Sequence, residues 1–155
     1  GCIYDDYYGD QAISFGVGKI SEEAQKILNI ARESVQVGSK LAKAGTPVGD
    51  LGHAQQTIIE LAGFHVVKEF IGHEVGKSLH DEMQIPSYGQ KGRGQRLPEN
   101  MVICVENQVC QNSPKVFIDK KDGWSVYTRD GGLSATFEHM VIVRRGRAEI
   151  ITKFG

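Results

Sequence analysis

Two stretches of this chain alternate apolar residues as buried β-strands do, yet each sets a glutamate on one of its faces. In "MVICVENQVC", Glu106 shares a face with Val102 and Cys104, because successive side chains of a strand point to opposite sides. In "SATFEHMVIV", Glu138 shares a face with Thr136, Met140 and Ile142. A carboxylate on an inward face is costly unless it is paired, protonated or bound to a metal. One such acid reads equally well as an edge-strand glutamate turned to water. Two on different strands suggest a shared site. His139 follows Glu138 directly and falls on the opposite face with Phe137 and Val141, which suits a structural or supporting histidine better than a ligand.

The rest of the chain supplies a frame for these strands. Ser21 is placed to cap a helix whose apolar stripe is Ile27, Leu28, Ala31, Val35 and Leu41, and Gly45-Thr46-Pro47 is expected to stop it. Asp50 is expected to cap a second helix with Ala54, Ile58, Leu61 and Ala62 facing inward and Gly63 as terminator. Short β-branched segments follow at 101–106, 124–128, 134–143 and 148–152, and residues 13–17 are expected to form a further strand after the turn in "DDYYGD". Strands, two helices, then more strands imply an α+β domain, a mostly antiparallel sheet with helices on one face. The 155 residues suit a single domain, 1–155, with ordinary fractions of hydrophobic (40%) and charged (24%) residues. A net charge of −1 points away from nucleic acid. The chain has no apolar run of membrane-spanning length, and its three cysteines read as reduced thiols of a cytoplasmic protein.

Further donors lie outside the two strands. In "FIGHEVGKSLHDEMQIP", His73 stands between Gly72 and Gly76, where glycine lets backbone come close to a bound group, and His80 follows seven residues later. With Glu106, Glu138 and Asp10 they would supply the oxygen and nitrogen ligands of a two-metal hydrolytic site. His53 and His65 read as structural. No thiol stands at zinc-ligand spacing along the chain.

Four stretches, "YYGDQAISFGVG", "GHEVGKSLHDEMQIP", "MVICVEN" and "DGWSVYTRDGGLSATFEHMVIV", resemble in order and approximate spacing the motifs of the type I methionine aminopeptidases, metallopeptidases of the pita-bread fold. The last is the most specific. The resemblance implies that Asp10 is a bridging aspartate, His73 the histidine ligand, and Glu106 and Glu138 the glutamate ligands of two divalent ions (cobalt, manganese, iron or zinc). It implies that His80 is the catalytic histidine that contacts the substrate, that Glu106 also relays a proton, and that Leu79 and Trp124 border the pocket for the methionine side chain. The implied reaction is removal of the initiator methionine from a peptide or nascent chain.

The chain departs from the motifs at Glu74, where glycine is usual, at Asn107, where proline is usual, and at Leu79, where an aromatic residue is usual. A further aspartate ligand of the family falls eleven residues before the position of Asp10, ahead of Gly1, and Asp5 and Asp6 lie in the intervening turn. The expectation is therefore a C-terminal portion lacking the family's N-terminal half, with a doubtful second metal site and a need for that half or for self-association. Other readings are an inactive fragment, an enzyme of the same fold cutting before proline, and a non-catalytic binding member of the fold.

Overall fold

The computed structural model describes residues 1–153. The chain starts with a hairpin of β1 (Cys2–Tyr4) and β2 (Tyr7–Gly9), joined by Asp5 and Asp6, both at positive φ. A two-residue turn with both positions left-handed matches the twist of a hairpin, and aspartate is among the few side chains that tolerate it. Helices α1 (Glu22–Leu41) and α2 (Val48–Leu61) follow, then β3 (His65–Val66), β4 (Gly72–His73), β5 (Gln84–Ile85), β6 (Val102–Cys110), β7 (Val116–Ile118), β8 (Val126–Thr128), β9 (Ser134–Val143) and β10 (Ala148–Ile150). The main sheet runs β10-β9-β6-β3 and is antiparallel throughout; β1-β2, β4-β5 and β7-β8 are separate hairpins. None of the described helices is long and apolar enough to cross a membrane.

Nine residue pairs hold β6 against β9, from Val102↔Ile142 to Cys110↔Ser134. The odd-numbered side chains of both strands meet the helices. Val109, Ala135 and Phe137 pack with Ile27, Ala31 and Val35 of α1 and Ile59 of α2. Ile103, Val105, Val141 and Val143 pack with Leu51, Ile85 and Leu97. Burial of each large apolar side chain stabilises by about 1.5–3 kcal/mol, so this face is where most of the fold's stability resides. Ser21 caps α1 as expected, its Oγ accepting from the Ala24 amide at 3.1 Å, and Glu22 and Glu23 sit favourably in the first turn.

Three expectations are corrected. Helix α2 starts before Asp50, with Pro47 at the N-cap and no side-chain cap; the Asp50 carboxylate instead accepts from the Gly92 amide. Its buried face is Leu51, Gln55 and Ile59, and Leu61 is exposed. The reason is long-range: a Cβ at Gly49 or Gly52 would collide with backbone of residues 86–93, so the loop lies directly on that side of the helix. Residues 13–17 form no strand. Ala12 makes one bridge to Glu138, and the Ser14 side chain then replaces a ladder, donating to Thr136 O and accepting from Thr136 N.

Candidate metal centre

The even-numbered face of the β6–β9 ladder carries different chemistry. Glu106 and Glu138 are directly opposite each other in the register, an arrangement that like charges destabilise. Glu138 is only 6% exposed, and its Oε1 is buried with no hydrogen-bond partner among the described residues. Burial and then the neighbouring Glu106 charge push its carboxyl up to about 8. Glu106 is half-buried, and its Oε1 accepts from Gln108 Nε2 at 2.7 Å.

Two hairpins bring the remaining donors to this pair. Gly72 of β4 passes so close to β6 that a Cβ there would collide with the Cys104 carbonyl oxygen; only glycine permits that approach, and it delivers the next residue, His73, to the acids. Val75 continues the contact, its amide donating to Val102 O at 2.9 Å. His73 Nδ1 lies 3.1 Å from the Glu74 carbonyl oxygen. A proton on Nδ1 satisfies that oxygen and leaves Nε2 as the free donor atom. Nε2 faces Asp10 Oδ2 at 3.7 Å and Glu106 Oε2 at 3.9 Å. On the other side, β2 leads into Asp10, whose amide donates to Met140 Sδ of β9 at 3.0 Å.

Asp10, His73, Cys104 and Glu138 thereby place one donor atom each within 4.8 Å of one another, with Glu106 beside them. An orphaned, buried carboxylate oxygen in a nest of oxygen, nitrogen and sulfur donors fits a divalent cation, whose charge would offset the repulsion among three carboxylates. Val75, Cys104 and Met140, with Tyr8 and Val102 against them, make a small apolar cluster under the site.

The other residues singled out in the sequence divide in two. His80 stands at the site, its ring 4.3 Å from the His73 ring in an edge-on arrangement. Leu79 lies beside Gly1 near Asp10. Trp124 is 85% exposed, in the turn before β8, where it lines an open cavity with Phe70, Ile118 and Tyr127. Asp122 explains part of the "DGWS" motif: its carboxylate accepts from the Trp124 and Ser125 amides and from Ser125 Oγ, which also hold its carboxyl low. Asn107 faces α1, donating to Ala31 O and Ser34 Oγ, so it ties strand to helix rather than touching the site. Glu74, half-buried, turns its carboxylate to the Met83 amide at 3.2 Å and closes the β4–β5 hairpin. His139 is buried on the helix side, with Nδ1 at 3.3 Å from Thr152 Oγ1; burial lowers its pKa. The residue that linear spacing missed is Cys104. The signal was its place two residues before Glu106 on the same strand face.

Residues 1–145 match metallopeptidase family M24. Methionine aminopeptidase A of Synechocystis sp. is 40% identical over 151 residues, which cover 97% of this chain and 59% of that protein. The crystal structure of methionine aminopeptidase from Thermotoga maritima superposes with a TM-score of 0.94 at 36% identity, over 98% of this chain and 61% of that one. X-Pro aminopeptidase from the same organism shares the fold, with a TM-score of 0.73 at 23% identity, over 98% of this chain and 37% of that one. The chain thus spans less than two thirds of the length of these methionine aminopeptidase relatives.

Proposed function

The chain belongs to metallopeptidase family M24, and from that premise we propose that it removes N-terminal methionine from peptides and nascent chains in the cytoplasm. The carrying observation is the meeting of Asp10, His73 and Glu138 within 4.8 Å, with Glu106 across the ladder from Glu138. These four residues would hold one or two divalent ions of cobalt, manganese, iron or zinc. When bound, such ions supply Lewis acidity at the scissile carbonyl and lower the pKa of water.

The chain's own groups do the rest. Glu106 has Oε1 held by Gln108, which leaves Oε2 to take a proton from water and return it to the leaving amine. His80, exposed beside His73, would hydrogen-bond the substrate around the scissile amide. Leu79 and Trp124 would border the methionine side chain. Relatives named methionine aminopeptidase at 33–40% identity support this specificity over proline-directed cleavage.

The test is release of methionine from a Met-Ala-Ser peptide by the metal-loaded chain, with an Ala-Pro peptide as the contrast. Any turnover is expected on the first peptide alone, and cleavage of the second alone would replace this reading with a proline-directed one. A second reading, in which activity needs a partner chain or another copy, is favoured by exposed apolar side chains at Tyr4, Tyr7, Phe15, Val17 and Trp124. Bound metal with neither peptide cleaved would favour it.

A further inference from the structure

Cys104 is a fully buried thiol in the middle of β6, and its sulfur is one of the four donor atoms that lie within 4.8 Å of one another. Strand alternation aims it to the side of Glu106 and away from the helices, and Met140 stands opposite it on β9. A second observation points to a ligand at the same spot: Glu138 Oε1, from a side chain more than nine-tenths buried, has no hydrogen-bond partner among the described residues. We propose that Cys104 is a sulfur ligand to the bound ion, so that the centre is a mixed oxygen, nitrogen and sulfur site with a preference for softer metals. This rests on the reading of the cluster as a metal centre and goes beyond it, since neither the donor count nor the metal preference follows from the carboxylates and His73.

The chemistry is simple and balanced. The metal–sulfur bond forms as the S–H bond breaks, and the thiol proton leaves to solvent, because a coordinating thiol is deprotonated by the cation. Thiolate favours zinc, cadmium and cobalt, whereas manganese and magnesium favour oxygen donors. The alternative is that Cys104 stays a thiol, packed between Val75 and Met140 and donating a hydrogen bond to the Glu138 carboxylate.

The experiment loads the full chain with Co²⁺ and records visible and near-ultraviolet absorption, for the natural sequence and for Cys104→Ser and Cys104→Ala. The expected result is a visible cobalt spectrum in all three, with a near-ultraviolet sulfur-to-cobalt charge-transfer band in the natural sequence only. Affinity for Cd²⁺ should fall by about tenfold or more in both variants, with Mn²⁺ affinity nearly unchanged. Bound cobalt without a charge-transfer band, or a band that persists in both variants, overturns the sulfur ligand and leaves the metal centre standing. Absence of any cobalt binding overturns both. If neither variant folds, the natural chain still decides the matter through its own band and through a metal–sulfur distance by X-ray absorption.

Discussion

The two faces of the β6–β9 ladder are made from the same backbone, the odd-numbered one buried throughout and the even-numbered one only in part, and they do opposite things. On the helix face, Val105 and Phe137 are both 0% exposed, and burial of such side chains stabilises the fold. On the other face, Glu138 is nearly as buried, with an unpartnered oxygen and a second glutamate across the strand. The first face accounts for stability. The second is tolerated in the metal-free chain by a proton on Glu138, and it suits a positively charged ligand that would take that proton's place. Strand alternation lets adjacent residues, such as Phe137 and Glu138, serve these two ends without compromise.

The largest effect that would break this comparison lies on the helix face. Phe137→Ala should destabilise the chain by about 3–5 kcal/mol in a urea or guanidinium titration, with or without metal. A loss under about 1 kcal/mol would mean that the core is not where the packing places it.

Next comes the acid face in metal-free protein. The Glu138 carboxyl lies at about 8 in the fold against 4.5 in its ordinary state, so the folded chain keeps a proton that the unfolded chain sheds. Its contribution is fully present below pH 4.5 and is lost as pH rises through 8, with a slope of at most about 1.4 kcal/mol per pH unit. Melting temperature without metal should therefore fall across that window, and Glu138→Gln should flatten the fall. An unchanged slope in the variant would show that Glu138 is not the titrating group.

The smallest effect is at the far end of the helix layer. Ser21→Ala should cost about 1 kcal/mol, by removing the acceptor for the Ala24 amide. It should leave metal affinity untouched, as measured by titration calorimetry. A matching loss of metal affinity would mean that the two faces are not independent.

How far the sequence disclosed this arrangement depended on the range of the forces involved. Strand β9 is legible to its ends, Ser134 and Val143, because alternation is local and the strand is long. The Ser21 cap and the Asp5-Asp6 turn are equally local. Strand β3 and the full length of β6 escaped notice: His65–Val66 is too short to carry a pattern, and Cys110 extends β6 because β3 and β9 pair with it there. The buried side of α2 was misjudged because a loop from residues 86–93, remote in sequence, decides which side is covered. Asp10, His73, Glu106 and Glu138 stood out as polar residues in apolar or glycine-flanked surroundings, and the structure gathers them. Cys104 did not, because a thiol in an apolar strand looks like any other core residue until the ladder sets it beside the acids.

The central claim is that Asp10, His73, Glu106 and Glu138 form a cation site. Its most direct test is thermal melting of the chain, stripped of metal by chelation and then titrated with Mn²⁺, Co²⁺ or Zn²⁺. A ligand that binds only the folded form should add about 2.7 kcal/mol of stability at a hundredfold excess over Kd. The account predicts a rise in melting temperature with at least one of these ions that is lost in His73→Ala and in Glu138→Gln. An unchanged melting temperature with all three ions, or a rise that persists in both variants, would contradict it.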